Sequence, residues 1–191
     1  MSFLQRLAGA PISWGVCEVP GWGHELPRDR VLGEMQQLGL RATELGSDGY
    51  LPTDPAALKA LCDEYDLTMI GGFVPVVIHD PAEREATIEA THRAASLMAM
   101  AGGTLFISAA VTDWGWGPRR ELDDDAWRYA GEMLARIDEI IADYGMTQAL
   151  HPHLRTIVET AADVEHVLSV SDVGWTLDTG HLLIGGCDPL Q

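Results

Sequence analysis

The chain has 191 residues, 47% of them apolar and 21% charged, which is the balance of a folded globular protein and not of a disordered one. Twelve Lys and Arg against 29 Asp and Glu leave a formal net charge of −17. A surface that negative repels phosphate backbones and anionic lipid, so we expect neither a nucleic-acid partner nor a membrane one. Cys17, Cys62 and Cys187 are too few and too far apart for a disulfide framework or a CxxC metal motif. No apolar run reaches the ~20 residues that span a bilayer. The longest, from Leu97 to Val111, is broken by Gly102, Gly103, Thr104 and Ser108. Residues 1–11 lack the sustained apolar core of a signal peptide, so a cytoplasmic location is the expectation.

One pattern recurs along the chain: a short apolar run, then an amphipathic helix. The first run is Ala8–Trp14. Val31, Leu32, Met35 and Leu38 follow at helical spacing, and Gly39 stops that helix. After the run Ala42–Leu45, Asp54-Pro55 has the form of an N-cap with proline in the first turn, and Leu58, Leu61, Cys62 and Tyr65 make the stripe behind it. The run Thr68–Phe73 leads to a second such start, Asp80-Pro81, and a long helix closing at Gly102. Thr104–Ala109 leads to a helix opened by residues 123–125, with Trp127, Leu134, Ile137, Ile141 and Tyr144 inward. Thr147–His151 leads to Thr160 and Asp163, which read as a capping box. The last run is Gly174–Asp178.

The final residues of these runs are 14, 44, 73, 108, 151 and 178, spaced by 30, 29, 35, 43 and 27. That spacing fits a strand, a helix and two short loops, the unit of a parallel sheet. No linker or composition shift interrupts it, so residues 1–191 form a single domain. A doubly wound nucleotide binder needs a glycine-rich phosphate turn after its first strand, and Gly15-Val16-Cys17-Glu18 is not one. Polar and aromatic residues end several different strands instead, which is how a (β/α)8 TIM barrel builds its site. Such a barrel runs to ~250 residues, so the expectation is a barrel cut short after about six βα units, lacking its last two.

Asp178 ends the sixth run and His181 lies three residues on. Three positions apart at a strand end, they can both reach a divalent ion or its substrate, or Asp178 can simply cap the next turn. His151 and His153 share one face of an extended segment, and Pro152 between them suits a strand end. Glu44 ends an apolar strand as a site carboxylate or as a cap. Trp14 offers a flat face to a sugar ring. Arg155 can hold a polar substrate or form a solvent salt bridge. His79, Asp113, Trp22, Trp114 and Trp116 also lie in loops. His24, His92 and His166 read as solvated, and Cys17 lacks a partnering base.

Ile12-Ser13-Trp14-Gly15-Val16-Cys17-Glu18, Thr43-Glu44-Leu45-Gly46, His151-Pro152-His153 with Val158-Glu159-Thr160, and Leu177-Asp178-Thr179-Gly180-His181-Leu182 with Gly185-Gly186 and Asp188-Pro189 resemble inosose dehydratases. These belong to the sugar isomerase/epimerase superfamily with a xylose isomerase-like TIM barrel. The resemblance spans the whole chain in order. It implies a divalent metal, Mn²⁺ or Co²⁺, with Asp178 and His151 as ligands, His153, His181 and Glu44 as catalytic residues, and Trp14, Glu18 and Arg155 against the substrate. His151 stands where many epimerases carry Glu. The activity implied is dehydration of 2-keto-myo-inositol to a trihydroxycyclohexane-dione in inositol catabolism. A ketose isomerase or epimerase, and an inactive sugar-binding fragment, are the alternatives. The partner is a small polyol or ketose, and homo-oligomer formation is left open.

Overall fold

The structure, a computed structural model, describes residues 6–17 and 22–190. Alternation of strand and helix runs through it: α1 (Arg28–Gln37), β1 (Ala42–Glu44), α2 (Pro55–Glu64), β2 (Thr68–Val76), α3 (Arg84–Met100), β3 (Leu105–Ala110), α4 (Asp124–Ala142), β4 (Thr147–Leu150), α5 (Ala161–Val170) and α6 (Thr179–Ile184). The strand order is β1-β2-β3-β4. The chain divides into two compact units, Met1–Phe73 with Ala95–Leu105, and Val74–Ala94 with Phe106–Gln191.

In the first unit β1 pairs in parallel with the start of β2, Ala42 against Thr68 and Glu44 against Gly71. The core here is Val31, Leu32 and Met35 of α1, Leu58 and Cys62 of α2, and Met69 of β2, all essentially inaccessible to solvent. Asp54 caps α2 by accepting from Ala57 N at 2.8 Å, with Pro55 at the first position, as the Asp-Pro pair predicts.

The expected first strand, Ala8–Trp14, is a correction. Only Gly9 bridges, to Thr43, and Pro11–Trp14 is a 3-10 turn closed by Gly15 at φ 87°. Pro11 sets its own φ near the helical value and has no N–H to give a ladder, so the chain curls after one bridge. β2 is longer than expected. Its bonds to the β3 segment use the even positions, Ile70 and Val76 accepting from Thr104 and Val111, so Pro75 is never asked to donate there.

The second unit is built on α4. Trp127, Met133, Leu134, Ile137 and Ile141 are buried, with Tyr144 half-buried. Gly131 lets α4 approach the end of α5, since a Cβ there would sit 2.5 Å from the Val170 carbonyl oxygen. Asp123 caps α4, and Thr160 and Asp163 form a full capping box on α5. The expected strand Gly174–Asp178 is also corrected. Leu150 N donates to Gly174 O and Thr176 N to Leu150 O, and the next donor in that ladder would be residue 152. Residue 152 is proline, so the pairing ends at the single bridge Leu150–Trp175. Asp178 is therefore the N-cap of α6 and not a strand residue.

Candidate metal and proton-transfer site

Where β4 ends, His151 N donates to Ser108 O at 2.8 Å and Ile157 N to Ala110 O at 2.7 Å. Both bonds pin the β4–α5 loop onto β3. Within the loop His153 N donates to Val158 O, and the Thr156 hydroxyl donates to His153 O at 2.8 Å. Closing so tight a turn sends Arg155 to φ 65°, an uncommon conformation for a side chain-bearing residue. Its amide donates to Glu159 Oε2 and its Nη2 to Trp116 O.

Asp178 works in two directions. Oδ1 accepts from His181 N at 2.8 Å, which is the cap, and Oδ2 lies 3.1 Å from His151 Nε2. The cap reading of this carboxylate is met by Oδ1, while Oδ2 faces His151. His151, Asp178 and His181 each offer one ligand atom, and those atoms lie within 4.8 Å of one another; among the described residues no other group of three does so. The His153 ring stands 5.5 Å from that of His151 and 4.0 Å from that of His181.

Partners decide which nitrogens carry protons. A carbonyl only accepts, so His153 Nδ1–H donates to Leu154 O at 2.8 Å and Nε2 bears the lone pair. The Leu154 amide donates to His181 Nδ1 at 3.2 Å, so in the neutral ring Nε2–H is the donor. Burial lowers the pKa of His151, against the opposing pull of Asp178. Burial takes His153 down to about 4, reinforced by the two neighbouring imidazoles and opposed by the Leu154 carbonyl. Burial would raise Asp178, but hydrogen bonds from the His181 amide and from His151 hold it below the ordinary carboxylate value. Two imidazoles with an ionised carboxylate are a donor set that first-row divalent ions take.

The sequence candidates divide. His151, His153, Arg155, Asp178 and His181 come together in the second unit. Trp14 and Glu44 belong to the first. There Trp14 Nε1 donates to Glu34 at 2.8 Å, and Glu44 N donates to Gly9 O. Glu18 lies outside the described residues. Trp116, noted in sequence only as a loop tryptophan, is 8% exposed and meets the His153 ring edge-on at 5.7 Å. The Leu154 peptide, which bridges two imidazoles, is a backbone role that no side-chain pattern signals. His166 is exposed as expected but stacks on Trp127 at 5.1 Å.

A family model described as xylose isomerase-like TIM barrel matches residues 32–190. The inosose dehydratase of Geobacillus kaustophilus is 32% identical over 97% of this chain and 64% of its own length. The rhizopine catabolism protein MocC of Rhizobium meliloti is 32% identical over 97% of this chain and 59% of its own. The chain thus spans about three fifths of the length of these relatives. The crystal structure of the IolI protein with a zinc atom superposes with a TM-score of 0.70 at 16% identity, covering 95% of this chain and 65% of that one, which is a likeness of fold. Among the described residues no helix is long and apolar enough to cross a membrane.

Proposed function

The chain belongs to the xylose isomerase-like TIM barrel family, and on that premise we propose that it is a metal-dependent lyase that dehydrates an inosose, 2-keto-myo-inositol, to a trihydroxycyclohexane-dione. Support comes from an inosose dehydratase and a rhizopine catabolism protein, each 32% identical to this chain. The observation that carries the chemistry is the convergence of His151, Asp178 and His181 within 4.8 Å. His151 and Asp178 would hold the ion, Mn²⁺ or Co²⁺, beside His181. Bound there, a divalent ion supplies a Lewis-acid contact to the ketone oxygen and so acidifies the neighbouring C–H.

The remaining groups serve the proton transfers. His153 is neutral near pH 7, and its Nδ1–H is committed to Leu154 O, so Nε2 accepts the proton from the carbon beside the ketone. His181 Nε2–H hydrogen-bonds the departing β-hydroxyl, which leaves as water with the proton that His153 took from carbon, so His153 ends as it began. The enol left behind becomes the dione by moving its hydroxyl proton to carbon. Trp116 and Arg155 wall the His153 side of the site. The test is an assay of the purified protein with 2-keto-myo-inositol and Mn²⁺, following dione formation. Turnover lost on chelation and restored by the ion supports the reading. Conversion of a ketohexose without any inosose turnover moves the site to isomerase or epimerase chemistry.

A further inference from the structure

Among the described residues five buried side-chain polar atoms have no hydrogen-bond partner: both ring nitrogens of His79, the Thr112 hydroxyl, Arg119 Nε and the Tyr129 hydroxyl. Four of the five sit in the segments that follow β2 and β3. Each such group has given up its bonds to water without a replacement, so these atoms call for a ligand or a reason. His79 is 8% exposed and Thr112 is 3% exposed.

Backbone pairing brings the two segments together. Val111 N donates to Val76 O at 3.0 Å, which places the residues after β2 next to those after β3. Ile157 N bonds Ala110 O, so the loop carrying His153 lies against the same end of β3. His79, Thr112 and the histidine site thus line one end of neighbouring strands in the second unit, the end at which a parallel α/β sheet binds ligands.

We propose that His79 and Thr112 form a subsite for a hydroxyl of a neutral polyol, an inference that rests on the polyol reading of the neighbouring site and adds specificity residues to it. A neutral imidazole offers one donor and one acceptor, and a threonine hydroxyl offers both. An alcohol is the ligand that is itself both donor and acceptor. A carboxylate only accepts, so it leaves one nitrogen of a neutral imidazole unpaired, and charging the ring to pair both is opposed by the burial of His79. The three atoms are closed to solvent. A hydroxyl therefore reaches them as the loop after β3 lifts, a loop braced by Asp113 Oδ1 accepting from Gly115 N and Gly117 N. That loop carries Trp114 and Trp116, so binding is visible in tryptophan fluorescence.

The test uses myo-inositol, which has no ketone to react, titrated calorimetrically into the wild-type protein and into His79→Phe and Thr112→Val. Both variants remove the orphan polar atoms with side chains of similar shape, and urea denaturation of each checks that it folds. Expected are a loss of polyol affinity of tenfold or more in each variant, Co²⁺ affinity within twofold of wild type, and a fluorescence change on polyol addition that the variants lack. Variants that bind myo-inositol within twofold of wild type overturn this proposal alone and mark His79 and Thr112 as poorly satisfied core groups. A wild-type protein that binds no polyol overturns it together with the polyol reading beneath it.

Discussion

Asp163 and Asp178 both guard the start of a helix in the second unit, and both are held below the ordinary carboxylate value by the hydrogen bonds they accept, against the opposing effect of burial. Their surroundings diverge. Asp163 is 5% exposed and saturated: it accepts from Thr160 N and Oγ1, from Glu159 N and twice from Arg119 Nη2. Asp178 satisfies one oxygen with the His181 amide and turns the other to an imidazole nitrogen, with further rings behind it. The same local device is closed in one place, where it stabilises, and open in the other, where it can take a cation.

That contrast is easiest to break by removing each carboxylate in turn. Asp163→Ala strands Arg119 and undoes the capping box, so urea denaturation should show a loss of about 3 kcal/mol, with Co²⁺ affinity essentially unchanged. A loss below 1 kcal/mol would remove the structural half of the contrast. Asp178→Asn keeps a capping oxygen and so should cost less than about 1 kcal/mol. Its effect should fall on the metal instead, with Co²⁺ affinity down by about 100-fold or more in calorimetry. Equal affinity in wild type and variant would mean that the three converging ligand atoms hold no ion.

Acid sharpens the comparison further. The folded pKa of Asp163 lies below its unfolded value of about 3.9. Its contribution is therefore complete above about pH 5 and is lost as pH falls through the folded pKa. Denaturant midpoints measured from about pH 5 downward should drop more steeply for wild type than for Asp163→Asn; parallel curves would contradict the assignment. The smallest effect is that of Thr160→Ala, which removes one side of the capping box for about 1 kcal/mol and leaves the histidine rings where they are. Unchanged imidazole resonances for His151, His153 and His181 in that variant would confirm that cap and site are separable.

Much of this was legible beforehand because it is local. Asp54, Asp123 and Thr160 announce their helices by chemistry that acts three residues ahead, and all three caps form with their side-chain bonds in place. The inward face of α4 reads directly from its apolar spacing. The strands were less legible. Pro11 turned an apolar run into a 3-10 turn, and Pro75 concealed the second half of β2, because what matters for a strand proline is which neighbour its missing N–H faces. Trp116 and the Leu154 peptide could not be found by pattern, since their parts depend on where one loop rests on another.

By itself, then, the sequence determined the alternation of strand and helix, the caps, the buried face of α4 and the residue types available for chemistry, since each depends on interactions within about four positions along the chain. Only the tertiary structure decided that residues 151 and 178 share a hydrogen bond, that a backbone peptide sets the tautomers of two imidazoles, and that His79 is sealed in without a partner. Those outcomes depend on strand pairing between distant segments and on how far packing removes water. Neither the register nor the dielectric is written in any single stretch of residues.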